Sequence, residues 1–306
     1  MAKIDLSPLP WNTQGFDERE TVEIDNDKFN VYRYGNKGVL FFCIHGAGYT
    51  GLSFAQFAEN IKGKIECQIV APDLRGHGRT ECEQPLDFSK DRIVKDLYAI
   101  YVKLYPDETS RPHAFVIGHS MGGAMAIRLC REKLISNVLS LIVIDVVEGT
   151  ALSSLANMPQ VLRRRPKNFK TLEEAIHWAT TASDTLCRLP GARQSVPSQL
   201  RKNEQTGLYE WICDLAKTQP FWVSWFTGIS HEFLECSQGK VLIIGHVDSM
   251  DSELIRAEME GKYQNVIVPD AGHAIHENDV EAVTNVIQSI YQRFEVLIKK
   301  NLKIHL

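Results

Sequence analysis

The sequence predicts an α/β fold: a mostly parallel, doubly wound sheet with an inserted helical cap. Three observations predict it. Short runs that are apolar throughout recur along the chain, many ending at Gly, His, Ser or Asp. Such runs are what strands buried on both faces require. Amphipathic helical patterns fill the gaps between them, which is the rhythm of a wound parallel sheet. One stretch, 148–239, breaks the rhythm and holds four of the five tryptophans.

The elements follow in order. Thr21 to Ile24 and Phe29 to Tyr34 are β-prone runs around Asp25-Asn26-Asp27 and read as an opening antiparallel hairpin. Val39 to Ile44, Gln68 to Ala71, Ala114 to Ile117, Leu139 to Ile144, Val241 to Ile244 and Val266 to Val268 are the buried strands. Ile93, Leu97, Ile100 and Leu104 share one helix face, behind Ser89 as N-cap. Val280, Val283, Ile287, Ile290, Phe294 and Leu297 do the same for a long carboxy-terminal helix. The cap region shows helical patterns such as Leu172, Ala175, Ile176 and Ala179, and no convincing strand. The expected division is a core of 1–147 and 240–306 with a cap of 148–239.

The chain has 306 residues, 44% hydrophobic and 24% charged, enough to bury a core without disulfides or a structural metal. A formal net charge of −4 gives no footprint for nucleic acid. The seven cysteines are scattered, without a C-x-x-C pair, and read as buried free thiols in a reducing compartment. Met1 to Trp11 has no apolar signal region, and no apolar run is long enough to span a bilayer. A cytoplasmic or nuclear location is therefore expected, with no membrane partner.

Gly118-His119-Ser120-Met121-Gly122-Gly123 matches the G-x-S-x-G nucleophile elbow of α/β-hydrolases, with an apolar strand before it and an Ala-rich helix after it. Ser120 is the expected nucleophile. His45-Gly46-Ala47-Gly48 follows the Val39 to Ile44 strand, where this fold draws one oxyanion-hole amide. The expected donors are the Ala47 and Met121 N–H groups, with Gly46, Gly48 and His119 beside the substrate. His273 follows the last strand, in the correct chain order for the general base; His276 is read as surface or supporting. The loop from Asp73 to Gly78 is read as structural, with Asp73 paired to Arg75. Metal chemistry has no support in His/Cys spacing, and neither metal nor cofactor is expected.

The acid that orients His273 stays open on position alone. Asp145 ends the strand after the nucleophile helix. Asp248 lies in the turn after Val241 to Ile244, the commoner location in this fold, and is slightly favoured.

Beyond the elbow, longer motifs carry a resemblance. They are Ser7-Pro8-Leu9-Pro10-Trp11, Ile144 to Ala151, Arg165 to Lys170, Leu215-Ala216-Lys217-Thr218 and Gly272 to Glu277. Across nearly the whole chain the sequence resembles the protein phosphatase methylesterases, which demethylate the catalytic subunit of protein phosphatase 2A. The resemblance implies a serine carboxylesterase with that methylated subunit as partner. It also implies that the acid is the aspartate of I-D-V-V-E-G-T, here Asp145. Animal members often carry a basic amino-terminal extension and an acidic cap insertion; the matching stretch here, Asn203 to Gly207, is short. Arg163-Arg164-Arg165 reads as a solvated cap loop beside the entrance rather than a localisation patch.

Overall fold

A computed structural model describes residues 4–183, 187–246 and 250–300. The strands are β1 (Glu18–Ile24), β2 (Asp27–Tyr34), β3 (Val39–Ile44), β4 (Cys67–Pro72), β5 (Ala114–His119), β6 (Val138–Ile144), β7 (Asn168–Phe169), β8 (Leu200–Lys202), β9 (Tyr209–Trp211), β10 (Gly239–Ile244) and β11 (Gln264–Ile267). The helices are α1 (Ala55–Ile61), α2 (Lys90–Leu104), α3 (Met121–Arg131), α4 (Glu148–Ser154), α5 (Met158–Arg164), α6 (Leu172–Thr181), α7 (Leu189–Ser198), α8 (Trp222–Phe226), α9 (Ile229–Glu235), α10 (Ser252–Met259), α11 (Ile275–Asn278) and α12 (Val280–Lys299).

Eight strands form one sheet in the order β1-β2-β4-β3-β5-β6-β10-β11. The opening hairpin is antiparallel, pairing Ile24 with Asp27 across a turn in which Asp25 has φ +54°. β2 meets β4 antiparallel, and every later neighbour is parallel. The central strands read as continuous apolar runs because each has two buried faces. Leu40, Phe42 and Val116 enter one core with Ile93, Leu97 and Met125 of α2 and α3. Phe41, Cys43, Phe115 and Ile117 enter the other with Phe57 of α1 and Ile287 and Ile290 of α12. Phe41 sits edge-on to Phe57, with ring centroids 5.6 Å apart. Burial of one such side chain contributes about 1.5–3 kcal/mol.

Ser89 stands at the N-cap of α2 but makes no side-chain capping bond; its own amide donates to Asp87. Asp279 caps α12, accepting from the Ala282 N–H at 3.1 Å.

The region from Glu148 onward differs from expectation in one respect. β7, β9 and β8 form a small antiparallel sheet. Strands of two or three residues are too short to show alternation, so the pattern hid them. The β8–β9 hairpin turns on Asn203, whose side chain accepts from the Gln205 and Thr206 amides. Phe169, Trp178 and Trp211 pack around this sheet with α6 and α7. Trp225, Phe226, Ile229 and Phe233, on α8 and α9, pack instead with the α3 side of the main core. The end of the proposed cap is thus continuous with the sheet's helical layer.

Candidate active site

The parallel strands all present their carboxyl ends to one edge. β3 leads into His45 to Gly48, β5 into Ser120, β6 into Asp145, and the segment after β11 into His273. Residues that are far apart in sequence therefore meet at one rim, where α/β sheets bind ligands.

Ser120 occupies a sharp turn, with φ +52° and ψ −122°. A non-glycine residue in such a conformation costs about 1–3 kcal/mol and persists only when its surroundings fix it. Here the Ser120 amide donates to Ile144 O at 2.9 Å, and Ser120 O accepts from the Gly123 amide at 2.8 Å. Gly122 permits the close approach of β3: a Cβ there would lie 2.3 Å from Ile44 O.

Asp145 also has positive φ, +52°, which turns its side chain out of the sheet beyond Ile144. Its amide donates to Ile243 O at 2.8 Å, tying the turn to β10. His273 Nδ1 lies 2.8 Å from Asp145 Oδ2. The carboxylate accepts, so Nδ1 carries the proton and Nε2 is left free to take one. Asp248 lies outside the described residues. Among the described residues, the Ser120 hydroxyl makes no hydrogen bond, with His273 or any other group.

Ala47 and Met121 both line the cavity that Ser120 lines. Neither amide makes a hydrogen bond within the described residues. Two unspent donors beside the serine are what a developing oxyanion needs. Gly48 lines the same cavity, but its amide is spent on His77 Nε2 at 2.9 Å.

Gly46 and His119, expected beside the substrate, are not among the residues that line the cavity. His119 is fully buried and its Nε2–H donates to the His273 carbonyl at 2.9 Å. Burial holds its imidazole well below the usual range, so it is neutral. Gly46 packs on that ring; a Cβ there would lie 2.8 Å from His119 Nδ1. Both residues position the backbone around the site. His276 is likewise buried rather than at the surface, stacked on Phe54 with centroids 4.5 Å apart.

The Asp73 to Gly78 loop holds this rim from behind. His45 Nε2 accepts from the Leu74 amide at 2.9 Å, and His77 Nδ1–H donates to Arg75 O. Burial pushes His77 down to about 4, keeping it neutral and able to accept from Gly48. Asp73 and Arg75 are not partners, contrary to expectation. Asp73 accepts from the Gly51 and Arg79 amides and from Asn30. Arg75 is fully buried and bonds Asp96 at 2.8 Å and Asp27 at 2.6 Å. Neighbours in sequence point apart here, and the true partners come from β2 and α2. Arg75→Leu would leave the buried carboxylates of Asp27 and Asp96 with only the partly exposed Arg92, at 2.6 and 2.9 Å, as a cationic partner. A loss of about 3–5 kcal/mol is expected on urea unfolding, and a loss under 1 kcal/mol would contradict this role.

The cavity measures about 440 Å³. Its walls are mainly apolar and include Val147, Leu155, Met158, Trp178, Trp211 and Trp222. Glu277 also reaches it, deeply buried, with Oε1 unpartnered. Burial raises its carboxyl from the usual 4.5 to about 7, against the opposing pull of the nearby Ser195 hydroxyl and Cys187 thiol. Between these values the folded state holds a proton that the unfolded chain has lost. Stability from this group is therefore present below pH 4.5 and lost as pH rises towards 7, by about 3 kcal/mol. Glu277→Gln should remove that slope and gain on the wild type between pH 5 and pH 8. Parallel pH profiles of the two proteins in urea melts would contradict it.

The chain matches the model of the alpha/beta hydrolase family over residues 41–286. It is 42% identical to a probable protein phosphatase methylesterase 1 of Caenorhabditis elegans, covering 93% of this chain and 77% of that one. The chain belongs to the protein phosphatase methylesterase family. The human protein phosphatase methylesterase 1 is 35% identical, covering 95% of this chain and 86% of its own. That of Gibberella zeae is 37% identical, covering 94% and 75%. As a methylesterase-family α/β-hydrolase, the protein is a carboxylic ester hydrolase. Solved structures agree in fold. The E-2-(acetamidomethylene)succinate hydrolase superposes with a TM-score of 0.72 at 16% identity, covering 90% of this chain and 99% of that one. A thioesterase domain from the curacin biosynthetic pathway gives 0.67 at 18% identity, covering 89% and 99%.

Sequence reasoning missed the parts played by His77, His119 and Glu277. Their partners lie across the fold, and a single sequence carries no signal for such pairings.

Proposed function

We propose that the protein removes the methyl ester from the carboxy-terminal leucine of the protein phosphatase 2A catalytic subunit, through Ser120, His273 and Asp145. One observation carries the reading. His273, paired at 2.8 Å with Asp145, shares a cavity with a serine held on a strained elbow, in a chain of the methylesterase family.

The chemistry runs in two halves. His273 Nε2 takes the hydroxyl proton as Ser120 Oγ attacks the ester carbonyl. Asp145 holds the ring and stabilises the imidazolium. The Ala47 and Met121 amides receive the negative oxygen. Methoxide is a poor leaving group, so the imidazolium gives up its proton as the C–O bond breaks, releasing methanol. Water, deprotonated by His273, then attacks the acyl-enzyme. The products are a free carboxylate and the restored serine.

Labelling by a fluorophosphonate ester tests the site. Covalent modification at Ser120 is expected, and modification elsewhere or none would remove the serine from the mechanism. The substrate is tested separately. A leucine side chain buries little, about 1.5–3 kcal/mol, and the open Ser120–His273 geometry leaves alignment to binding. The intact methylated phosphatase should therefore show kcat/KM at least tenfold above a short methylated tail peptide, because docking helps assemble the site. Equal values would contradict recognition beyond the tail. Far better turnover of lipid or small esters would favour a general esterase.

A further inference from the structure

The cavity contains a cation that the ester chemistry does not use. Arg165 follows α5 and lines the cavity wall. Its guanidinium carbon lies 3.5 Å from the centre of the Trp211 ring. The indole is itself fixed: Trp211 Nε1–H donates to Pro166 O at 2.7 Å, and the ring packs edge-on against Phe169 and Trp178. Stacking occupies one flat face of the guanidinium and leaves its N–H edge open.

The fully buried arginines have carboxylate partners. Arg75 has Asp27 and Asp96, and Arg128 has Glu232 at 3.1 Å. Among the described residues, Arg165 has no ion pair and no side-chain hydrogen bond. Asp214, whose charge bears on it, is engaged with the Ala216 amide at 3.1 Å. Burial pushes the Arg165 guanidinium down to about 10, so it remains charged at neutral pH without a counter-ion. A half-buried, unpaired cation held against a ring is costly to keep unless an incoming group completes it.

We propose that Arg165 is a carboxylate subsite, reading an acidic side chain of the substrate chain a few residues before the terminal ester. The reacting ester is neutral and is served by the amides of Ala47 and Met121. Arg165 stands on the cavity wall beside Trp211, Cys213 and Tyr49. A carboxylate meeting the open guanidinium edge accepts two parallel hydrogen bonds, which fixes the register of an extended tail. This inference rests on the methylesterase reading only for which protein brings the acid.

The test uses competitive inhibition of small-ester hydrolysis, so it stands whether or not the phosphatase is the substrate. Leucine-ending peptide amides carrying one aspartate, stepped along positions upstream, are compared with their asparagine counterparts. Wild-type protein should bind aspartate about tenfold tighter at one position, and Arg165→Gln should reduce that ratio to within twofold. Arg165→Lys, which keeps the charge without the fork, should retain part of the preference. The absence of any aspartate preference in the wild type overturns the proposal, even if the variants fail to fold. So does a preference that survives in Arg165→Gln. A preference found only for a free terminal carboxylate over the terminal amide would put the cation at the reacting end and also overturn it.

Discussion

Ser120→Ala should lower turnover by on the order of 10⁶ while leaving the fold intact, as loss of the nucleophile does in a characterised serine protease. Without the hydroxyl no acyl-enzyme can form. The elbow itself should survive, because its restraints are backbone bonds: the Ser120 amide to Ile144 O, and Ser120 O from Gly123. The substitution removes only one oxygen, at a partly exposed position. Unfolding midpoints should therefore coincide with those of the wild type. Activity within tenfold of wild type would end the serine-hydrolase account.

Asp145→Asn should lower turnover by roughly 10⁴. The local bonds give the reason. Asp145 Oδ1 accepts from the Gly245 amide at 3.4 Å, while Oδ2 faces His273 Nδ1 at 2.8 Å. In the asparagine the carbonyl oxygen keeps the Gly245 contact, which turns the NH₂ towards His273. Nδ1 must then accept, the proton moves to Nε2, and the ring can no longer act as base. Asparagine tolerates positive φ well, so the turn at φ +52° should persist. Asp248→Asn should have a much smaller effect. The reverse ranking would move the acid to Asp248.

Much of this architecture was legible because burial on two faces writes itself into composition. Val39–Ile44 was bounded to the residue, and Ala114–His119 and Val138–Ile144 to within two. The elbow was legible for a related reason: a serine on a strained turn needs small neighbours, which leaves a compact motif. The acid was different. Position in the chain slightly favoured Asp248, and only the longer I-D-V-V-E-G-T motif pointed to Asp145. Strand adjacency, which lets β6 and the segment after β11 deliver Asp145 and His273 to one point, is not encoded locally.

The misreadings share a cause. Asp73 and Arg75 looked like partners because they are close in sequence, but two residues of turn send them in opposite directions. His119 looked like a substrate contact because it precedes the nucleophile. As the last residue of β5, it points into the protein instead and supports His273 from beneath. Arg165 looked like one of three solvated cap arginines, yet it leaves Arg163 and Arg164 and turns inward on to Trp211. In each case a side chain's direction decided the outcome, and direction depends on backbone geometry that periodicity does not report.

The account's central claim is tested most directly by incubating the protein with the methylated catalytic subunit of protein phosphatase 2A and following the methyl group. The expected result is release of methanol and a free carboxy-terminal leucine with wild-type protein, and retention of the methyl group with Ser120→Ala. Retention of the methyl group by the phosphatase, with wild-type protein that still hydrolyses small or lipid esters, would contradict it.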